Sequence, residues 1–211
     1  MMTLAKPLEI VLLLTMLSLI PSLLIVMTSF TRIVIVLSFL RTALGLQQTP
    51  PNMVLMSLAL MLTFYTMLPV GQQIYQQSYL PYQNKILSEQ KAIESASIPI
   101  KRFMLKQTHE DELKLMFHLG KIPLPKTAKD VSLNQLVPAF MLSELQTAFQ
   151  IGFIIFLPFL LIDLVVSGIL MGLGMMMVPP MSISLPIKIL LFTLIHGWDL
   201  ITTALISSFV N

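Results

Sequence analysis

LPFLLIDLVVSGILMGLGMMMVPP, residues 157–180, contains a single charged residue, Asp163, and closes on Gly-x-Gly, three consecutive methionines and two prolines. The apolar run before Gly172 is long enough to be a buried or membrane-crossing helix. Pro179 lacks the backbone N–H a helix needs, and it pushes Val178 towards an extended conformation. Met175, Met176 and Met177 therefore sit in a turn or short loop rather than on a helical stripe. Gly172 and Gly174 loosen the chain ahead of them, and Pro179 and Pro180 stiffen it behind. Methionine is unbranched, flexible and polarizable, so such a loop adapts to surfaces of variable shape. In a single copy this is an apolar loop touching lipid or a neighbour. In a ring of copies the loops would meet on the axis as a deformable collar, and a hydrophobic constriction resists water and ions by dewetting.

The rest of the chain has the same character. Of its 211 residues, 55% are hydrophobic and 11% charged, against roughly 25% charged in soluble domains. This is a membrane-class composition. The net charge of +3 forms no basic stripe interleaved with aromatics, which argues against nucleic-acid binding. The absence of cysteine excludes a disulfide scaffold, a Cys-zinc site and a thiol nucleophile.

Charges are partitioned along the chain. None lies between Arg41 and Lys85; nine Lys/Arg and six Asp/Glu fall between Lys85 and Asp130; beyond that only Glu144, Asp163, Lys188 and Asp199 remain. Three regions follow: an apolar helical hairpin over 1–70, a polar helical middle over 71–139, and a second apolar hairpin over 140–211 carrying the methionine loop. The apolar runs are 10–40 and 53–70, then 140–173 and 183–210. Each pair is joined by a Pro-Pro connector, which predicts two αα-hairpins. The first run lacks a small-residue cleavage site after its initial stretch and reads as part of the mature protein. Spans need about 20 residues, and these runs, interrupted by Pro21 and Arg32, suggest helices packed in an assembly rather than independent spans. In the middle region, 101–120 shows helical spacing, with Gly120 as its stop.

Catalytic and metal signatures are weak. His109, His118 and Glu110-Asp111-Glu112 match no usual zinc spacing and read as a solvated helix face. Gly172-Leu173-Gly174 lacks the third glycine and the preceding strand of a nucleotide loop. No enzyme activity, cofactor or metal is expected. The isolated charges say more, because a charge at membrane depth costs a few kcal/mol unless paired or wet. Glu144, Asp163 and Lys188 are candidates for an intramembrane or intersubunit charge pair. Lys188 is expected to meet Glu144 or Asp163, with a Glu144–Lys188 contact between subunits as the specific expectation. The alternative is that each sits at a helix end and reaches water. Arg32 and Arg41 point in different directions on one helix and read as anchors to neighbours or headgroups. His196, near Trp198 and Asp199, reads as an interfacial residue at a helix break.

Four blocks carry a resemblance: LRTALGLQQTPPN (40–52), LVPAFMLSELQTAFQIGF (136–153), 157–180 as quoted above, and SLPIKILLF (184–192). Together they strongly resemble the FliP family, export-gate subunits of the flagellar type III secretion apparatus, related to the injectisome SctR family. Thr49, Ser143-Glu144-Leu145 and PYQNKILSEQKAIESA (81–96) are closer to the flagellar branch. The resemblance implies an all-α membrane-type fold of kinked hairpins. Several copies, five in the family's common plan, would assemble with FliQ and FliR into a pore-lined helical cone. The cone would sit at the periplasmic side of the bacterial inner membrane, inside the basal body, and pass unfolded export substrates. Met175, Met176 and Met177 match the family's pore gasket. The nine Lys/Arg of the middle region would place it in the cytoplasm by the positive-inside rule, whereas the resemblance implies the periplasmic side. Three other readings stay open: an injectisome export-gate subunit of the same plan, a proton-coupled or small-solute transporter using Asp163, Lys188 and Glu144, and a lipid-modifying enzyme, for which no catalytic pair is found.

Overall fold

The computed structural model describes residues 25–210 except 126, 128, 129 and 176, together with 10, 11, 14, 15, 17, 18 and 22. The N-terminal stretch read as part of the mature protein lies largely outside the described residues. Among those described, the chain is helical throughout with no strand. Seven helices organise it: α1 (Phe30–Ala43), α2 (Asn52–Gln83), α3 (Glu89–Gln107), α4 (Glu110–Leu119), α5 (Leu133–Gly172), α6 (Pro180–Leu194) and α7 (Gly197–Val210). Helix α2 includes a π-helical turn at Tyr75–Tyr79. Among the described residues two helices, α2 and α5, are long and apolar enough to cross a membrane, and the bent pair α6–α7 is a third candidate.

Helix α5, with 40 residues, is about 60 Å long at 1.5 Å per residue and is the spine of the molecule. Helix α1 packs along it. Ile33, Val36, Leu37, Leu40 and Ala43 recur at helical spacing and are buried. Phe30, Ile33, Val36 and Leu37 join Leu55 and Ala59 of α2, Ala148 of α5, and Leu205 and Phe209 of α7 in one core. Leu40 and Ala43 belong to a second core with Phe159 and Phe192. A third core, Met104, Phe117, Val131, Leu136 and Phe140, fixes the polar helices α3 and α4 to the start of α5.

The close approach of α1 to α5 depends on Gly152. A Cβ there would lie 2.6 Å from the Phe39 ring, and overpacking of this kind typically costs about 1–3 kcal/mol. Gly152→Ala should lower the melting temperature of the detergent-solubilised chain, and Phe39→Leu in the same chain should recover part of the loss. An unchanged melt in Gly152→Ala would show that the two helices separate freely.

Several element boundaries differ from those expected. The run 53–70 continues to Gln83, and the run 140–173 begins at Leu133. Polarity marks where an apolar face stops, whereas glutamine is a good helix former and carries the helix onward. The stretch 101–120 is two helices, because Thr108 is extended (ψ 128°) and His109 caps α4. Glu110, Asp111 and Glu112 then fall in the first turn of α4, where acidic groups favour the helix dipole. Helix α4 does end before Gly120, but the left-handed residue is Lys121 (φ 52°). The run 183–210 is broken at Ile195–His196, and its halves are bent by 66°. His196 takes φ 51°, the helix break expected there.

The two connectors have equal length and open with the same cap, although the Thr49–Pro50 bond in the first is cis. They are Leu44-Gly45-Leu46-Gln47-Gln48-Thr49-Pro50-Pro51 and Leu173-Gly174-Met175-Met176-Met177-Val178-Pro179-Pro180. In each the glycine is left-handed, φ 80° at Gly45 and 76° at Gly174. Gly45 N–H donates to Thr42 O (2.9 Å) and Leu46 N–H to Arg41 O (3.1 Å); Gly174 N–H donates to Met171 O (3.0 Å) and Met175 N–H to Leu170 O (2.9 Å). Both are Schellman caps, which satisfy the last carbonyls of the preceding helix. The next helix starts at the prolines, with Pro51 preceding α2 and Pro180 in the first turn of α6, where proline's missing N–H leaves no hydrogen bond unmade.

Candidate functional site: buried ion pairs and the methionine loop

Glu144, on α5, is fully buried and faces Arg32 of α1. The guanidinium clasps it in a fork, Nε to Oε2 at 2.9 Å and Nη2 to Oε1 at 2.5 Å. Its remaining N–H groups donate to Gln107 Oε1 (3.0 Å) and to the Ser208 carbonyl and hydroxyl (both 3.1 Å). An arginine has five N–H donors, and all five are used. The Phe209 ring lies under the guanidinium, 4.0 Å from its carbon, and Gln107 Nε2 donates to Phe209 O at 3.3 Å. One arginine thereby ties α1, α3, α5 and α7 together. Within the chain Glu144 meets Arg32 and not Lys188.

Lys188, buried on α6, donates to Asp163 Oδ2 of α5 at 2.6 Å and to the Ala43 carbonyl at 3.1 Å. Lys188 and Asp163 are thus paired within one chain. Ala43 is the last residue of α1, so the ammonium also supplies a donor to a helix C-terminus, where cations are favoured. This lysine fixes the start of the first connector beside α6, and Leu185 lies 3.7 Å from the Cβ position of Gly45.

Arg41 acts as a strap rather than an anchor to headgroups. Its Nη1 donates to Pro50 O (3.3 Å) and Asn52 Oδ1 (2.6 Å), across the first connector. The matching positions around the second connector are Leu170 and Met181, which offer no such bond. That connector stands open: no atom lies within 4 Å of a Cβ placed on Gly172 or Gly174. Gly172 ends α5, and Val178 N–H turns back to Met175 O at 3.3 Å. Met177 is 99% exposed and Met175 42% exposed; Met176 lies outside the described residues.

His109 and Glu112 approach within 3.7 Å on the partly exposed start of α4, while His118 is at its far end. Among the described residues no three His, Cys, Asp or Glu side chains converge as metal ligands. Sequence reading missed the role of Arg32 and the contributions of Gln107, Ser208 and Phe209. Arg32 is the lone charge within 10–40, and the depth rule applied to Glu144 would have marked it as a partner in search of a carboxylate.

Long apolar helices, charges paired with one another inside the bundle, and the exposed Met175 and Met177 fit a helical membrane protein. A family model for the FliP family matches residues 13–205. The chain is 52% identical over 201 residues to the flagellar biosynthetic protein FliP of Bacillus subtilis, covering 95% of this chain and 91% of that protein. It is likewise 52% identical over 199 residues to the protein of that name from Pectobacterium carotovorum, covering 94% and 77%, and 51% identical over 201 residues to that of Caulobacter vibrioides, covering 95% and 76%. The chain belongs to the FliP family.

Proposed function

We propose that this chain is a pore-forming core subunit of a flagellar type III protein export gate. Several copies, five on the family's plan, would assemble with FliQ and FliR in the inner membrane within the basal body. Unfolded flagellar substrates would pass through the ring, and the subunit would be structural rather than enzymatic. Membership of the FliP family and the names of its flagellar relatives support the flagellar setting. The observation that carries the gating role is the methionine loop itself. Met177 is 99% exposed and Met175 42% exposed, between the capped end of α5 and the proline start of α6, so these side chains are available to neighbouring copies. Soft thioethers meeting on an axis would exclude water when the gate is empty and yield to a passing chain.

The test is Met175, Met176 and Met177 changed together to Ala. The purified ring should keep its native mass, while cells carrying it should become permeable to small ions under conditions where wild-type membranes stay tight. A tight membrane around an intact mutant ring would overturn the gasket reading.

A further inference from the structure

We propose that the groove between α2, α3 and α7 binds one anionic glycerophospholipid. The groove has a volume of about 370 Å³ and a mostly apolar lining. Tyr65 and Pro69 lie a helical turn apart on α2 with Val70 next to Pro69, and Ile206 and Phe209 line the groove from α7. The third wall is α3, which places Arg102 and Lys106 one turn apart at the groove.

The level of the groove matters as much as its lining. The Ser29 and Thr66 hydroxyls share a hydrogen bond (2.5 Å), and the Ser78 hydroxyl donates to Ala92 O (2.5 Å). Before Thr66, therefore, α2 runs beside apolar α1, and after it beside the charged helix α3. The groove straddles that change. An acyl chain fits its apolar walls, and a phosphate fits between the two cations at the place where the apolar bundle gives way to polar helices. Arg102 has no carboxylate within ion-pair distance among the described residues. A guanidinium offers two parallel N–H donors to a phosphate. Tyr65 adds an amphipathic ring of the kind that settles at headgroup level. A free phosphate would leave the apolar walls wet, and a zwitterionic lipid would bring its own cation to two others.

The test is native mass spectrometry of the full chain, purified in neutral detergent and given phosphatidylglycerol or phosphatidylcholine with the same acyl chains. Phosphatidylglycerol should remain bound under activation that strips phosphatidylcholine. Arg102→Gln with Lys106→Gln should reduce its retention at least tenfold, and Val70→Trp, which fills the groove and keeps both cations, should do the same. Equal retention of the two lipids overturns the proposal, as does phosphatidylglycerol retention indifferent to the paired Gln variant. The chain has no cysteine, so Val70→Cys reads the groove directly. Phosphatidylglycerol should shield that cysteine from a water-soluble maleimide more than phosphatidylcholine does, and equal labelling in the two lipids would overturn the proposal.

Discussion

Arg32→Ala should destabilise the chain by about 3–5 kcal/mol, the usual consequence of removing one partner of a buried ion pair. The size follows from what is stranded: the Glu144 carboxylate is fully buried, and its fork of two short hydrogen bonds comes from Arg32 alone. The Gln107 amide and the Ser208 carbonyl lose a donor in the same step. The loss should be visible as collapse of the monodisperse peak of the detergent-solubilised protein at temperatures where the wild type survives. Arg32→Met combined with Glu144→Leu should lie much closer to wild type, because an apolar pair leaves no buried charge behind. A double variant no better than Arg32→Ala would mean that the arginine acts through Gln107, Ser208 and Phe209 rather than through Glu144.

The second large effect concerns Asp163, and it should be asymmetric. The Lys188 side chain is 5% exposed and the Asp163 side chain 45%. Asp163→Leu leaves a buried ammonium with the Ala43 carbonyl as its remaining acceptor, again a loss of about 3–5 kcal/mol. Lys188→Leu leaves a carboxylate that can turn outward, and should cost clearly less. The same melts, run on both single variants and on the double, check this. Equal losses from the two single variants would show that the outward face of Asp163 is covered in the assembled protein.

Much of this fold could be read from residues alone, and the failures share a cause. Pro50-Pro51 and Pro179-Pro180 located both connectors because proline dictates local backbone geometry without reference to anything distant. The helix break at His196 was legible for a similar local reason, in the polar cluster with Trp198 and Asp199. Isolation in apolar sequence was enough to mark Glu144, Asp163 and Lys188 as needing partners. Which partner each takes depends on how α1 lies against α5, and that register is set by contacts such as Phe39 on Gly152, far apart in sequence. Arg32 and Glu144 meet across 112 positions, a distance no local pattern spans. The extents of α2 and α5 were misjudged because the polar and apolar regions were taken as structural boundaries, while both helices run straight through the change of environment.

The twin connectors have a consequence for how this sequence is free to vary. Folding at each depends on the left-handed glycine, the carbonyls it caps and the two prolines that restart the helix. Among the described residues in between, Leu46 and Met175 each supply the second donor of the cap, and Val178 N–H turns back to Met175 O. Leu46 packs back on the core of Leu40, Ala43 and Leu44, whereas Gln47, Gln48 and Thr49 in one loop and Met175 and Met177 in the other are exposed. What stands at those exposed positions is therefore a record of surroundings, written by whatever each loop touches.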